Sequence, residues 1–179
     1  FILVSNATTK KRAFADGWWW GWGFFITGLY WFCIALLTDA EKFAWAIPLA
    51  LFPLNGIIAI YPATACLLYF LLTTNHQPLT TSRQCLAFAT IWLLIEYARG
   101  HLFSGFPWNL AGYSFGFSDA ALQLASILGA YGLTFFTVLL GASVAVVRSN
   151  RIFVSSVWGL LVIALVWGDY RLENAVSGR

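Results

Sequence analysis

Glu96 and Arg99 are two ionisable residues at the end of an otherwise apolar run of the sequence. Their spacing of three residues places both side chains on one face of a helix. Ionisable groups at membrane depth are unfavourable unless they are paired or face a polar cavity, so such residues are candidates for a functional role. Two interpretations stay open. The pair faces a substrate, or it is an intrahelical ion pair near the membrane interface with little burial.

The segment from Gly100 to Tyr113 follows this pair directly and contains Gly105 and Pro107. It is too interrupted by glycine and proline for a helix and too apolar for an ordinary water-exposed loop. This composition predicts an interfacial or re-entrant loop near residues 100–116 that is covered by protein or lines a cavity. A purely structural aromatic belt is the competing interpretation. The candidate lipid-facing or substrate-facing residues are Glu96, Arg99, Phe106, Pro107, Trp108, Asn109 and Tyr113.

The cysteines do not form a pattern typical of catalysis or metal binding. Cys33, Cys66 and Cys85 are odd in number and far apart, and no pair has C-x-x-C spacing. Such spacing favours neither a disulfide framework nor a zinc site. We therefore expect no metal site in this chain, and we expect no cofactor.

The composition shows what kind of protein must position these residues. Of 179 residues, only 9% are charged and the mean hydropathy is +0.77. Soluble domains are about 25% charged, so a soluble fold is excluded. High hydrophobicity also excludes disorder, and a net charge of +3 is too small for a nucleic-acid module. The chain contains no Met and begins with Phe1, so we expect it to be a piece of a longer protein.

Charged residues are clustered and leave apolar windows of about 20 residues, the length that a helix needs to cross a bilayer. The windows lack the alternation of membrane β-strands. We therefore predict an all-α, polytopic membrane helix bundle of about five transmembrane helices. The expected spans are approximately 14–38, 44–73, 84–99, 119–147 and 152–170 of a single transmembrane domain, 1–179.

Local features refine two of these spans. Asp16 is predicted to be the N-cap of the first helix. Prolines in the second span predict a kinked helix, with an irregular lead-in between Pro48 and Pro53. Gly17 and Gly21 have the spacing that allows a second helix to approach closely.

The basic residues predict the orientation, because short cytoplasmic loops are enriched in Lys and Arg. One side carries Lys10, Lys11 and Arg12 together with Arg83, Arg148 and Arg151 and no acidic residue. The other side mixes basic and acidic residues. The Lys10-Lys11-Arg12 side is therefore expected to be cytoplasmic, and the C terminus to be on the opposite side.

A family resemblance rests on three short motifs. Together, in this order, they resemble the signature of the membrane domain of bacterial apolipoprotein N-acyltransferases. The motifs are Glu96-Tyr97-Ala98-Arg99-Gly100, Gly105-Phe106-Pro107-Trp108 and Gly112-Tyr113-Ser114. The stretch Trp20-Gly21-Trp22-Gly23 is similar to a Trp-Gly-aromatic-Gly helix of that family. The similarity runs from about residue 11 to residue 147.

The resemblance implies an enzyme of the bacterial inner membrane with a periplasmic C terminus. It implies transfer of an acyl chain from a phospholipid donor to the N-terminal diacylglyceryl-cysteine of a lipoprotein, in contact with bilayer lipids. In this family a Glu-Lys-Cys triad resides in a nitrilase-like periplasmic domain. None of that triad matches this chain, so the domain is expected after residue 179 and the fragment is expected to be inactive alone. The alternatives are a small transporter or channel module and a non-catalytic membrane scaffold.

Overall fold

The computed structural model describes residues 1–75, 80–103 and 105–177. These described residues form helices and turns and contain no strand, which confirms the all-α prediction. The chain divides into two compact units. The N-terminal unit is Leu3–Asn75, and the C-terminal unit comprises Phe1–Ile2 and His76–Arg179.

The N-terminal unit is built mainly from two longer helices and a run of short helical turns between them. In chain order, the helices of this region are α1 (Ile2–Ser5), α2 (Lys10–Leu29), α3 (Phe32–Leu37), α4 (Ala40–Phe43), α5 (Ile47–Leu49), α6 (Asn55–Ile58) and α7 (Ile60–Asn75). A 3₁₀ turn at Ala44–Ala46 and a π-helical turn at Ala50–Leu54 interrupt the series.

Helix α2 begins earlier than the sequence predicted. Thr9 has an extended backbone and its hydroxyl accepts a hydrogen bond from the Arg12 N–H at 3.2 Å, so Thr9 is the N-cap. The assignment of Asp16 as the N-cap is wrong. Asp16 lies inside the helix and forms an ion pair with Arg12 at 2.9 Å. The apolar run therefore starts after the helix does, because the first turns of α2 carry its charged residues.

The expected irregularity of the second span is confirmed. Pro53 has no N–H and lies inside the π-helical turn. The buried Asn55 side chain donates from Nδ2 to the Leu51 carbonyl at 2.7 Å. Two indole N–H groups of α2 bond to nearby carbonyls, Trp18 to Gly56 at 2.9 Å and Trp22 to Phe52 at 3.0 Å. These side chains thus supply part of the hydrogen bonding in the broken stretch.

Helices α2 and α7 pack closely where α2 presents glycine. A Cβ at Gly17 would lie 2.8 Å from Ala63 Cα and 2.8 Å from the Pro62 carbonyl oxygen. A Cβ at Gly21 would collide with the Pro62 ring. The predicted close approach of a second helix is confirmed, with α7 as that helix.

We expect Gly17→Ala to lower the free energy of unfolding of the N-terminal unit by about 1–3 kcal/mol, because overpacking forces the two backbones apart. The measurement is denaturant unfolding in detergent of the intact protein, meaning the natural polypeptide that carries this chain. Gly23→Ala is the matched control in the same helix, because nothing lies within 4 Å of its added Cβ. Equal stability of the two variants would contradict the packing.

The C-terminal unit carries the longest helices. Its α-helices are α8 (Thr81–His101), the short α9 (Asp119–Leu122), α10 (Ala125–Val144) and α11 (Arg151–Ser177), with a 3₁₀ helix at Ala111–Phe117 before α9. Helix α10 packs against α8, α11 and the 3₁₀ helix, and α9 packs against α11. Phe88, Trp92 and Phe136 are among the buried side chains of this unit.

The predicted span 119–147 is not one continuous helix. It breaks between α9 and α10, and Gly129 interrupts the first turns of α10 with φ 65° and ψ 178°. Glycine adopts such a positive φ without the clash that a Cβ would cause. Apolar composition alone could not reveal this interruption, because each side of the break is equally apolar.

Three stretches of the described residues are long and apolar enough to cross a membrane: Ala40–Thr74, Ala125–Val144 and Arg151–Asn174. The predicted spans 14–38 and 84–99 are not among them. Helix α8 covers the span 84–99, whereas the span 14–38 is divided between α2, which ends at Leu29, and α3. The total of five spans stays a prediction.

Candidate functional site

Glu96 and Arg99 lie in the last two turns of α8, and both side chains are inside the C-terminal unit. Only 5% of Glu96 and 1% of Arg99 is exposed. Arg99 Nη2 is 3.8 Å from Glu96 Oε1. The interpretation of a superficial pair with little burial is therefore wrong, because neighbouring elements of the fold cover both side chains.

The Glu96 carboxylate joins three elements of the unit. It accepts hydrogen bonds from the Thr134 hydroxyl of α10 at 2.8 Å and from the Ala111 N–H at 3.1 and 3.3 Å. The Trp92 indole N–H, one turn earlier in α8, donates to it at 3.3 Å. Hydrogen bonds to a carboxylate are charge-assisted and are stronger than those between neutral groups. Glu96 thus ties α8 to α10 and to the start of the 3₁₀ helix.

Arg99 holds the loop that follows α8. Its Nη1 donates to the Phe106 carbonyl at 2.8 Å and to the Trp108 carbonyl at 2.7 Å. The Phe106 N–H in turn donates to the Arg99 carbonyl at 2.8 Å. A planar guanidinium suits such multiple contacts, because its donors point in fixed directions. We call the segment between α8 and the 3₁₀ helix, residues 102–110, the clamped loop; Ser104 within it lies outside the described residues.

The clamped loop turns sharply and stores backbone strain. Phe103 and Asn109 have positive φ values of 56° and 55°, and Gly105 has φ 73°. Bulky residues rarely adopt this region, and the loop therefore depends on its surroundings to hold it. At Gly105 an added Cβ would lie 2.5 Å from the Gly100 carbonyl oxygen. This close approach shows how tightly the loop folds back on the end of α8.

The structure divides the seven predicted residues into two groups. Glu96 and Arg99 are buried and hold the backbone, whereas the other five lie on the loop or on the 3₁₀ helix. Trp108 is 51% exposed and Tyr113 is 51% exposed, and the Tyr113 hydroxyl donates to the Pro107 carbonyl at 3.3 Å. The others on this surface are Phe106 and Asn109, partly exposed, and Pro107, exposed.

Thr134, Ala111 and Gly112 are parts of the site that sequence reasoning missed. Thr134 is fully buried, and its hydroxyl also accepts a hydrogen bond from the Gly112 N–H at 3.1 Å. In the sequence, Thr134 is 38 residues from Glu96 within an apolar window. A polar residue in such a window was the available signal, although the same window contains Thr137 and Ser143 and the partner of Thr134 could not be read from it.

An aromatic cluster flanks the clamped loop. Tyr97 and His101 stack with ring centroids 4.0 Å apart, and Tyr131 lies edge-on to Tyr97 at 5.2 Å. His101 Nδ1 is 2.8 Å from the Tyr97 carbonyl, which can only accept, so Nδ1 carries a proton. The Tyr131 hydroxyl covers Gly100, where a Cβ would not fit.

The arrangement is suited to holding a loop rather than to covalent chemistry. Both ionisable side chains are engaged by the protein through the contacts above. Cys66 and Cys85 are buried within helices, and Cys33 is partly exposed in α3. Among the described residues, no group of three or more His, Cys, Asp or Glu side chains could hold a metal ion.

A comparison with known protein families identifies a family whose members share the region that contains the clamped loop. The family model of the apolipoprotein N-acyltransferase N-terminal domain matches residues 1–143, which include α8, the clamped loop and most of α10. The chain belongs to this family. Membership in an N-acyltransferase family does not favour the alternatives of a channel module or a scaffold.

Curated relatives of the N-acyltransferase family match nearly the whole chain. Proteins named apolipoprotein N-acyltransferase from Rickettsia typhi and Rhodopseudomonas palustris are 33% and 34% identical over 96% and 97% of this chain. One from Rhizobium rhizogenes is 36% identical over 90% of it. The matched regions are 34%, 33% and 30% of those relatives. The chain thus spans about a third of the length of the relatives it matches.

Proposed function

We propose that this chain is the membrane domain of an enzyme that transfers an acyl chain from a phospholipid to the N-terminal diacylglyceryl-cysteine of apolipoproteins. Family membership and the names of the curated relatives support this activity. Helices long and apolar enough to cross a membrane support contact with bilayer lipids. The proposal includes the bacterial inner membrane as the location, with the Lys10-Lys11-Arg12 side cytoplasmic.

The proposal assigns catalysis to a part of the protein outside these residues. The chain spans about a third of its relatives, and among the described residues none of its cysteines belongs to a group of three or more His, Cys, Asp or Glu side chains. We propose a nitrilase-like domain after residue 179, on the periplasmic side, as the place of the Glu-Lys-Cys triad. The described residues would then bind and orient lipid rather than react with it.

The clamped loop is the part of the chain that we assign to lipid handling. The observation that carries this assignment is the pair of hydrogen bonds from Arg99 Nη1 to the Phe106 and Trp108 carbonyls. These bonds fix the loop backbone from inside the protein and leave the Trp108 indole at the surface. A pre-ordered aromatic side chain loses little conformational entropy when an acyl chain packs on it. Glu96 and Arg99 are therefore positioning residues in this proposal.

We expect Trp108→Ala in the intact protein to lower the rate of acyl transfer by about 10- to 150-fold, because losing the apolar contact of one large side chain removes about 1.5–3 kcal/mol. The assay measures transfer of a labelled phospholipid acyl chain to a diacylglyceryl peptide, alongside membrane accumulation of the enzyme. Accumulation should change far less than transfer.

Trp45→Ala provides a matched control, because Trp45 is 70% exposed and lies outside the clamped loop. It removes the same side chain and should leave transfer nearly unchanged. Parallel losses of transfer and accumulation in Trp108→Ala, or equal losses in both variants, would favour a purely structural aromatic belt instead.

A further inference from the structure

Three arginines gather at the end of the C-terminal unit that lies away from the clamped loop. Arg83 is in the first turn of α8, Arg148 follows α10, and Arg151 is the first residue of α11. The Asn150 side chain connects these elements, because its Nδ2 donates to the Ser82 hydroxyl at 2.8 Å. Its Oδ1 accepts from the Phe153 N–H at 3.0 Å and caps α11. This bridge between residues adjacent to Arg83 and Arg151 keeps the arginine-bearing segments together.

The arginine cluster has no carboxylate partner among the described residues. Within the described part of the chain, none of the three arginines forms an ion pair. Glu96 lies 13 residues after Arg83 in α8, so about 20 Å of helix separates the two residues. That distance is about two and a half Debye lengths at physiological ionic strength, too far for the Glu96 carboxylate to pair with the cluster.

The remaining acidic residues of the C-terminal unit also lie at the far end. Asp119 begins α9, and Gly168 of α11 lies against Ala120 of that helix. Asp169 follows Gly168 directly, and Glu173 is one further turn along α11. The fold therefore separates charge along the unit, with three uncompensated cations at one end.

Exposed aliphatic side chains border the arginine cluster. Ile152 is 82% exposed beside Arg151, and Val144 and Val147 are exposed beside Arg148. Helices α10 and α11, which meet here, are both long and apolar enough to span a membrane. Cationic groups next to exposed aliphatic groups at the end of such helices match the boundary between lipid headgroups and acyl chains.

We infer that the arginine cluster is a binding site for an anionic phospholipid. Its phosphate bonds to Arg83, Arg148 and Arg151, and its acyl chain lies on the aliphatic side chains of Val144, Val147 and Ile152. The aliphatic border distinguishes a lipid from free phosphate, which would gain nothing from it. A zwitterionic lipid fits less well, because its headgroup cation would oppose three arginines. The amino ends of α8 and α11 lie on this side together with the carboxyl end of α10, so two favourable partial charges outweigh one unfavourable partial charge.

The test uses the intact protein in detergent, titrated with phosphatidylglycerol and followed by native mass spectrometry. The variant Arg148→Gln with Arg151→Gln should raise the Kd for phosphatidylglycerol by about fivefold for each arginine removed. Arg148→Lys with Arg151→Lys should retain most of the binding. The matched control is Arg171→Gln at the far end of α11, where Arg171 bonds to Ser126; it should not change the Kd.

Three further measurements distinguish binding of an anionic phospholipid from binding of any phospholipid, from binding of free phosphate and from a general loss of stability. Phosphatidylcholine should bind more weakly than phosphatidylglycerol, and inorganic phosphate at millimolar concentration should displace little lipid. Melting temperatures without added lipid should be equal in all variants. Equal binding of the two lipids, displacement by inorganic phosphate, or an equal loss in Arg171→Gln would overturn the inference. A loss of binding that merely follows a lower melting temperature would overturn it as well.

Discussion

Replacing Arg99 by methionine is expected to lower the free energy of unfolding by about 3–5 kcal/mol, the range for breaking one partner of a buried ion pair. Glu96 would lose its cationic partner in a site where only 5% of the residue is exposed. The carbonyls of Phe106 and Trp108 would also lose their donor. The measurement is denaturant unfolding of the intact protein in detergent.

An exposed ion pair elsewhere in the chain provides the control for this prediction. Arg12 pairs with Asp16 at 2.9 Å, and its side chain is 65% exposed. Arg12→Met should therefore lower stability by less than about 1 kcal/mol, because exposed pairs contribute little. If Arg99→Met were as mild as Arg12→Met, the burial of the Glu96 and Arg99 pair would be contradicted.

A double variant distinguishes the effect of Arg99 on stability from its effect on the position of the clamped loop. Adding Glu96→Leu to Arg99→Met removes the unpaired buried carboxyl group and should recover part of the lost stability, as replacement of buried pairs by apolar residues often does. It should not recover acyl transfer, because Phe106 and Trp108 still lack the guanidinium. Recovery of both stability and transfer would show that the clamp is not needed to position the loop.

Gly112→Ala is expected to be the second most damaging substitution. An added Cβ would lie 2.6 Å from the Ala130 carbonyl oxygen and 2.7 Å from the Thr134 N–H nitrogen. Both contacts are to the backbone of α10, which cannot rotate away as a side chain could. The 3₁₀ helix must therefore move, and the neighbouring Ala111 N–H would leave the Glu96 carboxylate. We expect a loss of about 1–3 kcal/mol in unfolding free energy from overpacking, together with a loss of acyl transfer.

Gly116→Ala is the matched control in the same 3₁₀ helix. Nothing lies within 4 Å of a Cβ at this position, so stability and transfer should stay close to those of the parent. Denaturant unfolding and the labelled-lipid assay measure both variants side by side. A Gly112→Ala protein as stable and active as Gly116→Ala would contradict the close packing of the 3₁₀ helix on α10.

Much of the architecture could be predicted from the amino-acid sequence, because it depends on local properties. Low charge and high hydropathy predicted helices in a membrane, and the prolines predicted the broken stretch that contains Pro53. The start of the first helix could not be predicted in this way. Its N-cap is Thr9 rather than Asp16. The N-cap is the residue at which the backbone changes from extended to helical, and the presence of a carboxylate near the apolar run does not locate that change. The interruption at Gly129 could not be predicted either, because the residues on both sides of it are equally apolar.

The candidate site shows the same division between local and long-range information. By itself, the sequence determined that Glu96 and Arg99 share one helix face and that an irregular aromatic segment follows them. Only the tertiary structure decided that both are buried and that Thr134, 38 residues away, is a partner. The physical reason is that spacing within a helix sets which residues are neighbours on one face. The burial of a charge and the identity of its distant hydrogen-bond donors depend on which helices pack together.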